Sequence, residues 1–130
     1  MLEAHQFQAI REYAKGSVDV VAVYLFGSEA RGRARRGSDV DLAVMLTRPL
    51  DGFERVRMET ELSHRIGRDV HLVVYGDASP VLKHQILKAK HLVYEADRAG
   101  RVRQEVSGRY EYLDTRFLHQ EIQRYARGRP

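Results

Sequence analysis

Between Tyr24 and Val44 the chain reads YLFGSEARGRARRGSDVDLAV, and two features of this stretch have chemical use. The first is Gly27-Ser28, which interrupts an apolar run. Glycine lets a backbone turn sharply and lets a ligand come close. N–H groups that open a helical turn favour an anion, and the serine hydroxyl adds one more donor for a phosphate oxygen. Taken alone, a Gly-Ser pair after a strand is most often just a turn. The second feature is Asp39-Val40-Asp41. Residues i and i+2 of a strand share a face, which sets these acids roughly 6–7 Å apart at their α-carbons. Carboxylates that close repel unless a proton or cation lies between them. Mg²⁺ is typically held by one or two carboxylates together with substrate phosphates. Alone, this pair too reads more often as solvated acids on a strand. Together they mean more. Consecutive strands usually neighbour each other, so an anion-binding turn and a cation-binding pair would meet, as phosphoryl or nucleotidyl transfer requires.

Several elements must position these groups. Apolar residues at Leu2, Phe7, Ile10 and Tyr13/Ala14 predict a helix over Leu2 to Lys15, with Gly16 as its stop. Val18 to Phe26 is rich in β-branched and aromatic residues and predicts a strand buried on both faces. Glu29 to Gly37 is short, charged and glycine-flanked, and predicts a helical turn or two followed by a loop. Val40, Leu42, Val44 and Leu46 alternate with Asp39, Asp41, Ala43 and Met45, the period of a strand. Asp51 is placed to cap a helix through Phe53, Met58, Leu62 and Ile66, and Gly67 to end it. Asp69 to Tyr75 is a third strand, with Val70, Leu72 and Val74 on one face and His71 on the other. Ser79-Pro80 opens a further helix through Val81, Leu82, Ile86 and Leu87. His91 to Glu95 is a candidate fourth strand. From Asp97 to Arg127, apolar residues recur every three or four positions, with one gap of five, and predict a long helix. Gly108 is a weak point inside it, and Asp114-Thr115 a place where it could divide. The apolar face Val102, Val106, Tyr110, Leu113 and Phe117 is expected to pack on the sheet, the commoner use, or to dock a helical partner. The fold class is therefore α/β (α+β): a small mixed sheet of three or four strands flanked by helices. Residues 1–96 form the core and residues 97–130 a C-terminal helical extension of the same compact domain.

The 130 residues leave room for one domain. Hydrophobic residues at 43% and charged residues at 31% indicate a globular rather than a disordered chain. No apolar run approaches the roughly 20 residues that cross a bilayer. Glu3, His5, Arg11 and Glu12 exclude a signal peptide at the N-terminus, so the expected compartment is the cytoplasm, with no membrane partner. The absence of cysteine excludes disulfides, thiolate metal sites and a cysteine nucleophile. The net charge of +4 suits an anionic ligand or partner. The basic set is almost all arginine, which genomic base composition explains more readily than phosphate recognition does. No RNA-recognition motif is present, and nucleic acid is not the expected direct substrate.

Gly27-Ser28, ten intervening residues and Asp39-Val40-Asp41 resemble the G-S-x10-D-x-D signature of the DNA polymerase β-like nucleotidyltransferase superfamily. The fuller pattern G-S-x-A-R-G followed by S-D-x-D-L is similar to that of its minimal nucleotidyltransferase (MNT) branch. It is matched by Gly27, Ser28, Ala30, Arg31, Gly32, Ser38, Asp39, Asp41 and Leu42. The resemblance implies a nucleotidyltransferase fold, with Asp39 and Asp41 holding Mg²⁺ and a nucleoside triphosphate, expected to be ATP. It implies that Gly27 and Ser28 contact the β/γ phosphates and that Arg31 and Ser38 support the loop or the phosphates. The implied reaction is in-line attack of an acceptor hydroxyl on the α-phosphate, with pyrophosphate leaving. MNT proteins are often paired with an all-helical HEPN toxin, which implies an antitoxin role. In some pairs AMP passes to a toxin tyrosine.

One position departs from the pattern. The superfamily carries a third acid on the next strand, and the matching run here is Val70-His71-Leu72. His71 is a candidate catalytic residue that could itself act as the base, with an unperturbed pKa of about 6.5. Asp69, on the same strand face, could replace the missing acid. Alternatively, the chain binds nucleotide, transfers poorly or not at all, and neutralises its partner by occlusion. An aminoglycoside-type transferase would need an acidic pocket for its cationic acceptor, which the basic balance disfavours.

Overall fold

Strand β1 (Val20–Phe26) is buried at all seven positions, so it needs a strand on each side and helices on both faces. The computed structural model, which describes residues 2–32, 38–89 and 91–128, provides all four. The sheet runs β3-β2-β1-β4, with β2 at Val40–Leu46, β3 at Val70–Val74 and β4 at His91–Glu95. β1 is antiparallel to β2 and to β4, whereas β2 and β3 are parallel. A parallel pair needs a crossover, and helix α3 (Gly52–Ile66) makes it. Helices α1 (Ala4–Lys15) and α3 cover one face, where Ile10, Ala14, Leu62 and Ile66 join Leu25, Leu42 and Leu72 in one core. Helices α4 (Pro80–Ala89) and α5 (Arg98–Arg127) cover the other. There Tyr24, Phe26, Ala43, Met45, Tyr75, Ile86 and Leu87 form a second core.

Local chemistry sets the element ends. The Asp51 carboxylate accepts from the Glu54 N–H at 2.7 Å, and Glu54 reaches back to the Asp51 N–H. Gly67 ends α3 at φ +69°, a left-handed conformation that glycine adopts without penalty. Ser79 Oγ accepts from the Leu82 N–H at 3.2 Å, the cap expected ahead of Pro80. Some apolar residues of the predicted elements lie outside, among them Val81. Val18 precedes β1 and is 95% exposed, and Phe53 lies on the open side of α3. β-branching and helical spacing describe conformation without indicating which side has cover. The 33–37 part of the charged connection lies outside the described residues. Ahead of it a helical turn is present as α2 (Gly27–Ala30), starting two residues before the predicted Glu29.

Both sheet edges are sealed by side chains. On β3, the Leu72 N–H donates to Glu59 Oε2 at 2.8 Å and the Arg55 guanidinium donates to the Leu72 carbonyl at 3.4 Å. The Val70 N–H donates to Ser63 Oγ at 3.0 Å. Residues 55, 59 and 63 are one helical face of α3, spaced by four. On β4, Arg11 donates to the carbonyl of Val93 at 3.0 Å, the residue that the β1–β4 register skips.

The C-terminal segment is one uninterrupted helix, and Asp114-Thr115 does not divide it. Its apolar stripe does not pack on the sheet. The side turned to the body carries Gly100, Gln104, Gly108 and Glu111: Gln104 donates to the Leu46 carbonyl, and the half-exposed Glu111 pairs with buried Lys83 at 2.8 Å. At 100° per residue, Val102, Val106, Tyr110, Leu113 and Phe117 fall on the opposite side. They are 42–65% exposed. Leu118, Ile122 and Tyr125 are also exposed farther along. Gly108 is more than a weak point. A Cβ there would lie 2.0 Å from the Tyr75 hydroxyl, so the missing side chain lets α5 close on the 3-10 turn Tyr75–Asp77. Burial, then the Glu105 and Glu111 carboxylates, push the Tyr75 phenol up to about 12, which keeps it neutral in this contact. Gly108→Ala should therefore destabilise the fold by about 2 kcal/mol through overpacking, despite alanine's better helix propensity. Urea denaturation should show part of that loss recovered when Tyr75→Phe is added.

Candidate functional site

The register brings the chemical residues together. Phe26, the last residue of β1, is opposite Asp41 on β2, and Asp41 is level with His71 on β3. Register partners point to one side of a sheet, here the side of Ala43 and Met45. The chain then leaves β1 at Gly27 with φ +72°. A Cβ at Gly27 would lie 2.1 Å from Asp41 Oδ2. Both the conformation and the space require glycine at this position. The Asp41 carboxylate is thus seated between the Gly27 backbone and the imidazole of His71, whose Nδ1 is 3.1 Å from Asp41 Oδ1. The Asp41 side chain is 26% exposed and that of His71 57%, so the pair opens to solvent.

Gly27 and Ser28 form the first half of the single turn α2. Phe26, its N-cap, has no side-chain group with which to satisfy the turn's leading N–H groups. Arg31 follows at the C-cap and is exposed. Asp39 is exposed in the residue before β2. Asp69 is the residue before β3. Its carbonyl accepts from the Val40 N–H at 2.9 Å and its side chain is turned to solvent. His71, rather than Asp69, is the residue in contact with Asp41. Among the described residues no three His, Asp or Glu side chains gather closely enough to hold a metal alone. The two donors in contact, the Asp41 carboxylate oxygen and the His71 imidazole nitrogen, suit a divalent cation that takes its remaining ligands from phosphate and water.

A second arrangement fixes this geometry and was not anticipated from sequence. Glu29 of α2 is buried, and its carboxylate is ion-paired with Arg68. The same guanidinium donates to the carbonyl of Ser38 at 2.8 Å. One arginine therefore ties the Gly-Ser turn to the segment that carries Asp39 and Asp41. The only hint in the sequence is an acid and a base inside otherwise loop-like stretches, which a solvated surface explains equally well. Glu59, Ser63 and Arg55 were missed similarly. They hold the outer edge of β3 on either side of His71, yet in sequence they are one polar helix face.

The chain matches the family model described as Polymerase beta, Nucleotidyltransferase over residues 8–99. It belongs to that nucleotidyltransferase family. Among curated relatives, the protein adenylyltransferase MntA of Shewanella oneidensis is 38% identical over 65 residues, 50% of this chain and 47% of its own. The chain thus spans about half the length of that relative. A Methanocaldococcus jannaschii sequence, named provisionally as a protein adenylyltransferase, is 33% identical over 48% of this chain and 68% of its own. Among solved structures, a toxin–antitoxin crystal structure with AMP-PNP aligns over 94% of this chain and 98% of that one, with TM-score 0.77 and 24% identity. The tri-AMPylated HEPN toxin of Shewanella oneidensis in complex with its MNT antitoxin aligns over 98% and 100%, with TM-score 0.72 and 22% identity. At those identities the likeness is one of fold, and it extends over the α5 region as well as the nucleotidyltransferase core.

Because breaking a buried ion pair from one side costs about 3 kcal/mol or more, Arg68→Ala should lower the unfolding free energy by about that amount. Adding Glu29→Gln should restore part of it. Chemical denaturation of the two variants measures the difference, and equal losses would show that Glu29 does not depend on Arg68.

Proposed function

We propose that this nucleotidyltransferase transfers AMP from ATP to a tyrosine hydroxyl of a helical HEPN-type toxin and thereby acts as its cytoplasmic antitoxin. The observation that carries the reading is the Asp41 carboxylate seated between Gly27 and His71, one strand-step from Asp39, in a chain of nucleotidyltransferase family. Support comes from the adenylyltransferase names of two relatives and from the AMP-PNP and HEPN toxin in the titles of matching structures.

Asp39 and Asp41 would hold Mg²⁺, which when bound neutralises phosphate charge and eases the departure of pyrophosphate. The N–H groups of Gly27 and Ser28 and the Ser28 hydroxyl bind the β/γ phosphates, and Arg31 and Ser38 support that loop. The acceptor oxygen forms its bond to the α-phosphorus in line as the bond to the bridging α–β oxygen breaks. Its proton is lost on the solvent-open side of Asp41, beside His71. Arg68 keeps the turn and the acids at fixed separation, so the reacting groups meet without reorganisation of the protein.

Two observations favour a second reading, in which the partner is neutralised by occlusion alone. His71 stands at the third-acid position, and α5 offers an apolar stripe with no cover among the described residues. Incubation with α-labelled ATP, Mg²⁺ and a co-encoded helical partner separates the two readings. Label on a partner tyrosine, lost in Asp41→Asn, is the expected result; a tight complex that never acquires label supports occlusion. Under either reading the α5 stripe is the docking surface. Leu113→Glu with Phe117→Glu should weaken partner binding at least tenfold in calorimetry and leave ATP binding unchanged, because the stripe faces away from the sheet.

A further inference from the structure

We infer that His71 is a metal ligand, and that with Asp41 it shifts the preference of the Mg²⁺ site toward a first-row transition-metal ion of the Mn²⁺ type. The inference rests on the proposed function for its nucleotide site, and it gives His71 a ligand's role in place of a base's. Two ligand atoms in cis positions on an octahedral ion, each at about 2.1 Å, are separated by about 3.0 Å. Asp41 Oδ1 and His71 Nδ1 are separated by 3.1 Å. Without a cation the same distance is that of a hydrogen bond from Nδ1–H to the carboxylate; in the Nε2–H tautomer both atoms carry lone pairs, and a cation takes the place of that proton. The ring is 57% exposed, so water and phosphate oxygens can fill the remaining positions.

The pair is held in place on every side that matters. Asp41 is seated close against Gly27, its Oδ2 2.1 Å from where a Cβ would stand. His71 cannot slide along the edge, because the N–H groups of Val70 and Leu72 on either side of it are bonded to Ser63 and Glu59. Imidazole nitrogen binds Mg²⁺ poorly and binds later first-row ions progressively better, while oxygen donors are tolerated by both. Exchanging a third acid for histidine therefore removes one negative charge and one hard donor, and the loss falls on Mg²⁺ more than on Mn²⁺.

The test compares Mn²⁺ and Mg²⁺ affinities of the full chain with AMP-PNP present, using the Mn²⁺ electron paramagnetic resonance signal and its displacement by Mg²⁺. His71→Asp should lower the Mn²⁺-over-Mg²⁺ preference by about tenfold, mainly by tightening Mg²⁺. In the parent protein, Mn²⁺ should broaden the ring resonances of His71 far more than those of exposed His5 and His64. An unchanged preference in His71→Asp, or a His71 ring left sharp, would overturn the inference. If Mn²⁺ binding is lost in Asp41→Asn but indifferent to residue 71, the nucleotide-site reading survives and only the histidine's role fails. If no divalent ion binds in an Asp41-dependent way, both fail.

Discussion

The constraint on which the site depends is the lack of room around one carboxylate. Asp41 has the Gly27 backbone against one oxygen and the His71 ring against the other. That arrangement needs three strands in a fixed register, with the exit of β1, the start of β2 and the start of β3 side by side. It also needs a backbone conformation that residues with a side chain rarely adopt. The sheet order supplies the first condition and Gly27 the second. Shifting β2 by one residue would turn Asp41 into the opposite core and leave the Gly-Ser turn beside a valine or a leucine.

The buried Glu29–Arg68 pair is the complement of that constraint. Loops at the ends of strands are ordinarily the variable part of a sheet protein. Here a charge is taken out of water in a one-turn helix and matched by the guanidinium of Arg68, just past the end of α3, which also holds the Ser38 carbonyl. Such a pair adds little net stability compared with an apolar contact of the same size. It sets position, because the guanidinium meets the buried carboxylate and the Ser38 carbonyl together.

Much of this was legible from residue types. The strands are dense in β-branched side chains, Asp51, Gly67 and Ser79-Pro80 mark helix ends through side-chain chemistry local to each end, and the Gly-Ser and Asp-Val-Asp elements meet because consecutive strands pair. The remainder depended on which side of an element is covered, and periodicity does not carry that information. The α5 stripe has the spacing of a buried face, yet the inward face is the one with two glycines, a glutamine and a glutamate, because α5 comes too close to Tyr75 at Gly108, and to Asp97 and Val21 at Gly100, for a side chain at either glycine. Glu29, Arg68, Glu59 and Ser63 were invisible for a related reason. Their partners are main-chain atoms or a charge on another element, and a polar residue bonded to such a partner has the same sequence signature as one bonded to water.

The arginine excess, which composition alone would assign to base usage or to phosphate, has another use at the margins of the sheet. Arg55 and Arg11 each occupy a carbonyl on an outer strand, one at each end of the strand order. An incoming extended segment would have to displace a guanidinium before it could hydrogen-bond there, which blunts the template for amyloid-like growth and strand exchange. Copies of this protein crowded together, or a partner recognising it, are thereby steered toward side-chain surfaces and away from ribbon-to-ribbon joining.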